Sequence, residues 1–201
     1  MKSKQDILEA TLELACEKGL GSISMSQIAD KVGLKKSSLY SHFKSKAEII
    51  ESMYEYFREK AKEEQGVGST DYNALLSGHS PKEILTGVVN SYKAINKKPE
   101  LDKFYRLIMS ERVYNPVAAS VMVEENNRMI AATKMLFDVM NEKEIMHFEN
   151  TDSAALVFAM GVHSVMDFEH DSDNAERHDA DGAMEKFIDE FCHAYVIESR
   201  K

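Results

Sequence analysis

Residues 24–46, SMSQIADKVGLKKSSLYSHFKSK, constrain the fold more than any other stretch of the chain. Two short apolar-periodic runs flank Gly33. The first is expected to be a helix after Ser24, with Gln27 three residues on completing a capping-box pattern. Gly33 stands where the chain needs a residue tolerant of the left-handed conformation. The second run is expected to be a helix over about residues 36–43. Leu39 and Phe43, four apart, would point to a core shared with Ile28 and Val32. Tyr40, Ser41 and His42 would then face outwards.

Between Lys31 and Lys46 there are five lysines and no acid. A helix-turn-helix reader of DNA needs one helix braced on the phosphates and a second entering the major groove by its N-terminal end. Here the second helix opens Lys35-Lys36-Ser37-Ser38. Lysines supply phosphate contacts and counterion release. Small serines allow close approach, and their hydroxyls can bond base edges. Lys46, in the first turn of the following helix, is placed to reach a flanking phosphate. Lys31 and Lys44 read equally well as solvated charges, and Tyr40 also reads as a packing residue.

The charge is unevenly spread. Residues 1–62 carry 11 Lys and Arg against 9 Asp and Glu, a net of +2; residues 63–201 carry 14 against 25, a net of −11. A polyanion-binding end on an acidic body fits that asymmetry.

Only three prolines and nine glycines interrupt the 201 residues, and strand-like alternation is scarce, so the chain reads as all-α. Helix one is expected over about residues 4–17, with Ser3 and Asp6 as capping box, Gly19 and Gly21 as stop signals, and Ile7, Thr11, Leu14 and Ala15 on one face. The helix beginning near Ser45 should run to about Glu64. Residues 65–80 hold three glycines and many turn formers and read as a boundary. Ser80-Pro81-Lys82-Glu83 announces a new helix. Further helices are expected over about 81–96, 99–112, 116–141, 152–169 and 181–199, making about nine. The resulting organisation is a helix-turn-helix DNA-binding domain (1–46), a connecting helix (47–64) and a ligand-binding and dimerisation domain (65–201).

Ile28-Ala29, Gly33-Leu34, Leu39-Tyr40, His42-Phe43 and Lys44-Ser45-Lys46 together resemble the signature of the tetracycline-repressor (TetR) family, over roughly residues 5–55. The resemblance implies an all-helical homodimer with an N-terminal three-helix DNA-binding head. It also implies a C-terminal body that binds a small molecule and then releases a palindromic operator. By position, Ser26, Lys36, Ser37, Ser38, Tyr40, His42 and Lys46 match the family's DNA-contacting places. Lys35 departs from the Ser or Thr usual there. It is a poor N-cap, and it offers one more phosphate contact.

In the body the resemblance fades, and the residues alone suggest sites. Effector candidates are Tyr92, Phe104, Tyr105, Ile108, Met109, Arg112, Met129, Met135, Phe137, His163 and Met166; any one of these alone reads more readily as plain core. The last two helices carry strong apolar faces. Family members usually pack such helices with their twofold mates, which makes Phe158, Gly161, Val162, Phe187, Phe191 and Tyr195 dimer-interface candidates; an intrachain core is the other reading.

Cys16 and Cys192 have no partner spacing and read as small buried residues. Residues 167–181, DFEHDSDNAERHDAD, read as a solvated acidic loop. A calcium-loop frame from Asp167 would put Ser172 where Gly is needed and His178 where a bidentate Glu is needed. No metal site, cofactor or catalytic constellation is expected, and the chain is not expected to be an enzyme. No apolar run approaches a membrane span, and a cytoplasmic location is expected. A DNA-binding regulator without a small-molecule ligand, controlled by a protein partner, fits the same head.

Overall fold

A computed structural model describes residues 2–65 and 71–195. Among these residues there are ten α-helices and one 3-10 turn (Leu20–Ser22). The helices are α1 (Lys4–Lys18), α2 (Met25–Val32), α3 (Lys36–His42), α4 (Lys46–Gln65), α5 (Tyr72–Leu76), α6 (Pro81–Asn96), α7 (Pro99–Glu111), α8 (Pro116–Glu142), α9 (Thr151–Asn174) and α10 (Ala183–Tyr195). The all-α reading holds, with one short helix more than expected.

The chain forms two compact units. Residues 1–66 and 94–123 make the first, and residues 67–93 and 124–201 the second.

In the first unit, α1 packs on α2, α4 and α7. Its start is fixed as the sequence indicates. Ser3 accepts from the Asp6 amide, and Asp6 accepts from the Ser3 amide at 2.7 Å. The Ser3 amide, helped by the Ser3 hydroxyl, holds the Asp6 carboxyl below the usual carboxylate range. Ile7, Leu12, Ile28, Leu39, Ile49, Met53 and Phe57 are fully buried in one core, with Phe104, Leu107 and Ile108 of α7 joining it. Each such side chain contributes about 1.5–3 kcal/mol by leaving water. The short helices α2 and α3, too brief to stand alone, exist because of this core.

Tyr54 lies at the same core, 6.1 Å ring to ring from Phe104. Burial, aided by the Glu111 carboxylate, pushes its phenol up to about 12. The folded chain therefore keeps this proton between pH 10 and 12, where the unfolded chain releases it. Tyr54 adds about 2–3 kcal/mol to stability below the unfolded pKa, and this is lost as pH climbs through the folded value. Urea melts at about pH 9 and about pH 11 should show about half of this loss, and Tyr54→Phe should flatten the slope between them.

The second unit is built on aromatic packing. Phe137 stacks on Phe148 at 4.4 Å, and Phe158 and Phe191 each lie 5.6 Å from it. Gly161 lets α10 approach α9: a Cβ there would overlap the Phe187 ring. Ser80 and Glu83 cap α6 reciprocally with Pro81 in the first turn, as read from the sequence.

Three expectations are corrected. Residues 167–174 are the end of α9, not loop. Nothing between Asp167 and Asn174 breaks a helix, Glu169 is paired with Lys93 at 2.5 Å, and Ser172 is buried with its hydroxyl on the Arg177 carbonyl. Repulsion among the remaining exposed acids amounts to tenths of a kcal/mol, about 0.2–0.5 per pair, too little to unwind those turns. Cys16 is exposed whereas Cys192 is buried. Cys16 lies at the rim of the buried face of α1, and its thiol donates to the Lys103 carbonyl at 3.4 Å. Finally, residues 65–80 are not all turn. Asp71 accepts from the Ala74 amide, and α5 follows with Leu76 buried. Residues 66–70, in the middle of the expected boundary, and residues 196–199 of the expected last helix lie outside the described residues.

Candidate nucleic-acid interface

The turn between α2 and α3 is set by backbone chemistry. Gly33 adopts φ 76°, ψ 33°, and its N–H reaches the Ala29 and Asp30 carbonyls. The Leu34 amide bonds the Ala29 carbonyl at 2.8 Å. This pair of bonds ends α2 within one residue and redirects the chain into α3. Ser24 and Gln27 close a capping box at the other end of α2.

α3 is held by Leu39 and Phe43, 0% and 2% exposed. That fixes its rotation. Lys35, Lys36, Ser37, Tyr40 and Ser41 are exposed, and Ser38 and His42 are half-buried. Ser26, at the start of α2, is also exposed. Tyr40 is 46% exposed, so its ring is not part of the core. Ser41 spends its hydroxyl on the Ser38 carbonyl at 2.6 Å. The expected reading surface is therefore a continuous outward strip from Lys35 to Tyr40.

The lysines divide. Lys31 is held by Glu13 at 3.1 Å and Glu17 at 3.5 Å, and these carboxylates raise its pKa. It braces α2 on α1. Lys46 is half-buried, with Nζ 3.2 Å from the Gly21 carbonyl. The first turn of α4 is capped from within: Ser45 accepts from the Glu48 amide, and Glu48 accepts from the Lys44 amide.

Lys35 occupies the N-cap of α3 and makes no side-chain cap bond. Lys35→Ser is expected to raise stability by about 1 kcal/mol in a thermal or urea melt. If Lys35 also meets a phosphate, the same variant should bind DNA with a log-affinity against log-salt slope shallower by about 1.

Residues 7–53 match the model of the bacterial regulatory proteins, tetR family. The chain carries a TetR-family head. The uncharacterized HTH-type transcriptional regulator YerO of Bacillus subtilis is 30% identical over 84 residues, which is 42% of this chain and 28% of YerO's own length. The fold likeness spans the whole chain. A TetR-family transcriptional regulator from Mesorhizobium loti superposes with a TM-score of 0.70 at 18% identity, covering 96% of each chain. A transcriptional regulator from Saccharomonospora viridis, in complex with choline, gives 0.70 at 16% identity over 97% of this chain and 98% of its own. Residues 7–53 thus match the DNA-binding head of the TetR family, and the chain as a whole shares the fold of such regulators.

The effector candidates are divided between the two units. Phe104 and Ile108 are buried in the core of the first unit, with Tyr105 and Met109 packed against it, and Arg112 is exposed as the C-cap of α7. Phe137 is fully buried in the second unit, and Met166 packs on that core. Met129 is half-buried, and Met135 is exposed. A cleft of the second unit, lined by Asp138, Asn141, Glu142, Phe148, Glu149 and Thr151, includes none of the candidates.

Tyr92 and His163 do meet. The Tyr92 hydroxyl lies 2.8 Å from His163 Nε2 and 3.1 Å from Glu125 Oε1. Glu125 in turn pairs with Arg128. Neither Glu125 nor Arg128 was singled out from the sequence. Their i, i+3 spacing of opposite charges in an otherwise apolar-faced helix was the available signal.

The dimer candidates Phe158, Val162 and Phe191 are buried by their own chain, and Phe187 and Tyr195 pack on the same core. α9 still shows an apolar face outwards. Leu156, Val157 and Phe168 are exposed and Met160 is half-buried. Among the described residues, no helix is long and apolar enough to cross a membrane.

Proposed function

We propose that this protein is a cytoplasmic homodimeric repressor. It would bind a palindromic operator through paired α2–α3 units and leave it when a small molecule binds the second unit. The observation carrying this reading is the outward strip from Lys35 to Tyr40, fixed in rotation by Leu39 and Phe43. Ser26, Lys35, Lys36, Ser37, Ser38, Tyr40, His42 and Lys46 are its DNA-contacting set. One seven-residue helix reads only a few base pairs, so sequence selectivity calls for two heads about one helical turn of DNA apart.

The second copy would pack on the exposed face of α9, at Leu156, Val157, Met160 and Phe168. Phe158, Val162 and Phe191 support that face from beneath. The choline bound to the Saccharomonospora viridis relative supports a small-molecule effector for this fold. Coupling of about 1–3 kcal/mol between effector and DNA would lower operator affinity about 5- to 150-fold. The coupling is reciprocal, so bound operator must weaken effector binding by the same factor.

Sedimentation of the full chain tests the assembly. The expected species has twice the 22.8 kDa chain mass, and one duplex takes up two chains. Leu156→Asp/Val157→Asp should give monomers whose operator affinity is at least about 100-fold weaker, because each head then binds alone. A wild-type monomer that binds DNA with full affinity would contradict the dimeric reading.

A further inference from the structure

We infer that the effector is an organic anion, a carboxylate with an apolar body, held by Arg128 inside the second unit. This rests on the ligand-released reading above and adds the chemical class of the ligand.

Arg128 and Glu125 lie one turn apart on α8, and their side chains are 19% and 13% exposed. The Arg128 Nη2 is paired with Glu125. Its Nε and Nη1 are buried and have no hydrogen-bond partner among the described residues. Guanidinium nitrogens only donate, so these atoms need acceptors, and a buried donor left unmet is destabilising. Glu125 is already engaged on both oxygens: Oε1 accepts from the Tyr92 hydroxyl and Oε2 from Arg128. It neutralises the guanidinium in part and leaves Nε and Nη1 without an acceptor.

The polar groups beside this pair are spent on one another, which leaves the guanidinium as the free donor. Tyr92 lies against His163 Nε2 at 2.8 Å, and His163 is 7% exposed. An incoming cation would face the guanidinium, whereas a carboxylate would meet charge-assisted donors. The apolar part of the ligand follows from what flanks these residues along the chain. Val89, one turn before Tyr92 on α6, is buried in the second core, and Met166, one turn after His163 on α9, packs against it. A four-fifths-buried arginine, linked through Glu125 to Tyr92 and His163, suits an amphiphilic acid rather than a small inorganic ion.

The test uses the full chain on a duplex selected for binding, followed by fluorescence anisotropy. Matched series are added: benzoate, salicylate, hexanoate and decanoate, their amides, and the corresponding amines. The expected result is release by at least one acid at a concentration about 10-fold or more below that of its amide. Arg128→Gln should remove that response while duplex affinity, measured below the variant's own melting temperature, stays unchanged. Arg128→Lys, which keeps the charge, should retain part of it, which separates a lost ligand contact from a lost fold. Equal release by amides or amines overturns the inference, as does an acid response that survives Arg128→Gln. So does a bound duplex that no member of the series releases. Failure of the chain to bind any duplex would instead sink the regulator reading. The anion site is then read directly: an acid that raises the melting temperature of the wild type but not of Arg128→Gln sustains it, and no such rise overturns it.

Discussion

Leu39→Ala should cost about 2–5 kcal/mol and abolish sequence-specific DNA binding, although Leu39 cannot touch DNA. The side chain is wholly buried at the centre of α3, which has only seven residues. A helix of that length has no stability of its own in water. Its position and rotation come from Leu39 and Phe43 seated against α2 and α1. Removing Leu39 leaves a cavity and lets α3 turn, so Lys36, Ser37, Ser38 and Tyr40 no longer share one outward strip. A urea melt gives the stability change, and anisotropy with a selected duplex gives the binding. By contrast, Lys31→Ala should leave binding near wild type, because Lys31 is already engaged by Glu13 and Glu17.

The second large effect belongs to the other unit. Phe137→Ala should destabilise it by about 3–5 kcal/mol. Phe137 is fully buried and holds Phe148, Phe158 and Phe191 within 6 Å ring to ring. Together with Phe158 and Phe191 it links α8, α9 and α10 through aromatic contacts. The measurement is differential. Melting of the variant should show an early transition with heat uptake from the second unit, while a fluorophore on α1 reports a head that still melts late. Under the dimeric reading, operator affinity should fall in parallel with loss of the dimer.

The head was readable because its constraints are local and mutually consistent. Ser3 with Asp6, Ser24 with Gln27 and the glycine at 33 each act within four residues, and each forms the bond its spacing indicates. Leu39 and Phe43 follow from helical periodicity. The outward placement of Lys35, Lys36, Ser37 and Tyr40 follows once those two are inside.

The body was less readable because its decisive contacts are distant in sequence. Nothing in the chain near Tyr92 announces His163, 71 residues later. The grouping of residues 94–123 with residues 1–66 is equally nonlocal. The acidic run 167–181 misled through composition: charge density suggested a loop, whereas the absence of Gly and Pro between Asp167 and Asn174 let α9 continue. Apolar stripes on α9 and α10 indicated burial correctly, but a stripe does not say which chain covers it. Phe158, Val162 and Phe191 are covered by their own.

Under this reading the Lys35–Tyr40 strip gives the protein its sequence-specific hold on DNA. The most direct measurement is selection of bound duplexes from a random library, run in parallel with Ser37→Ala/Ser38→Ala protein. The expected result is a palindromic motif with half-sites about one helical turn apart, lost or relaxed in the variant. Enrichment of no motif, with only weak salt-sensitive binding that the variant shares, would contradict it.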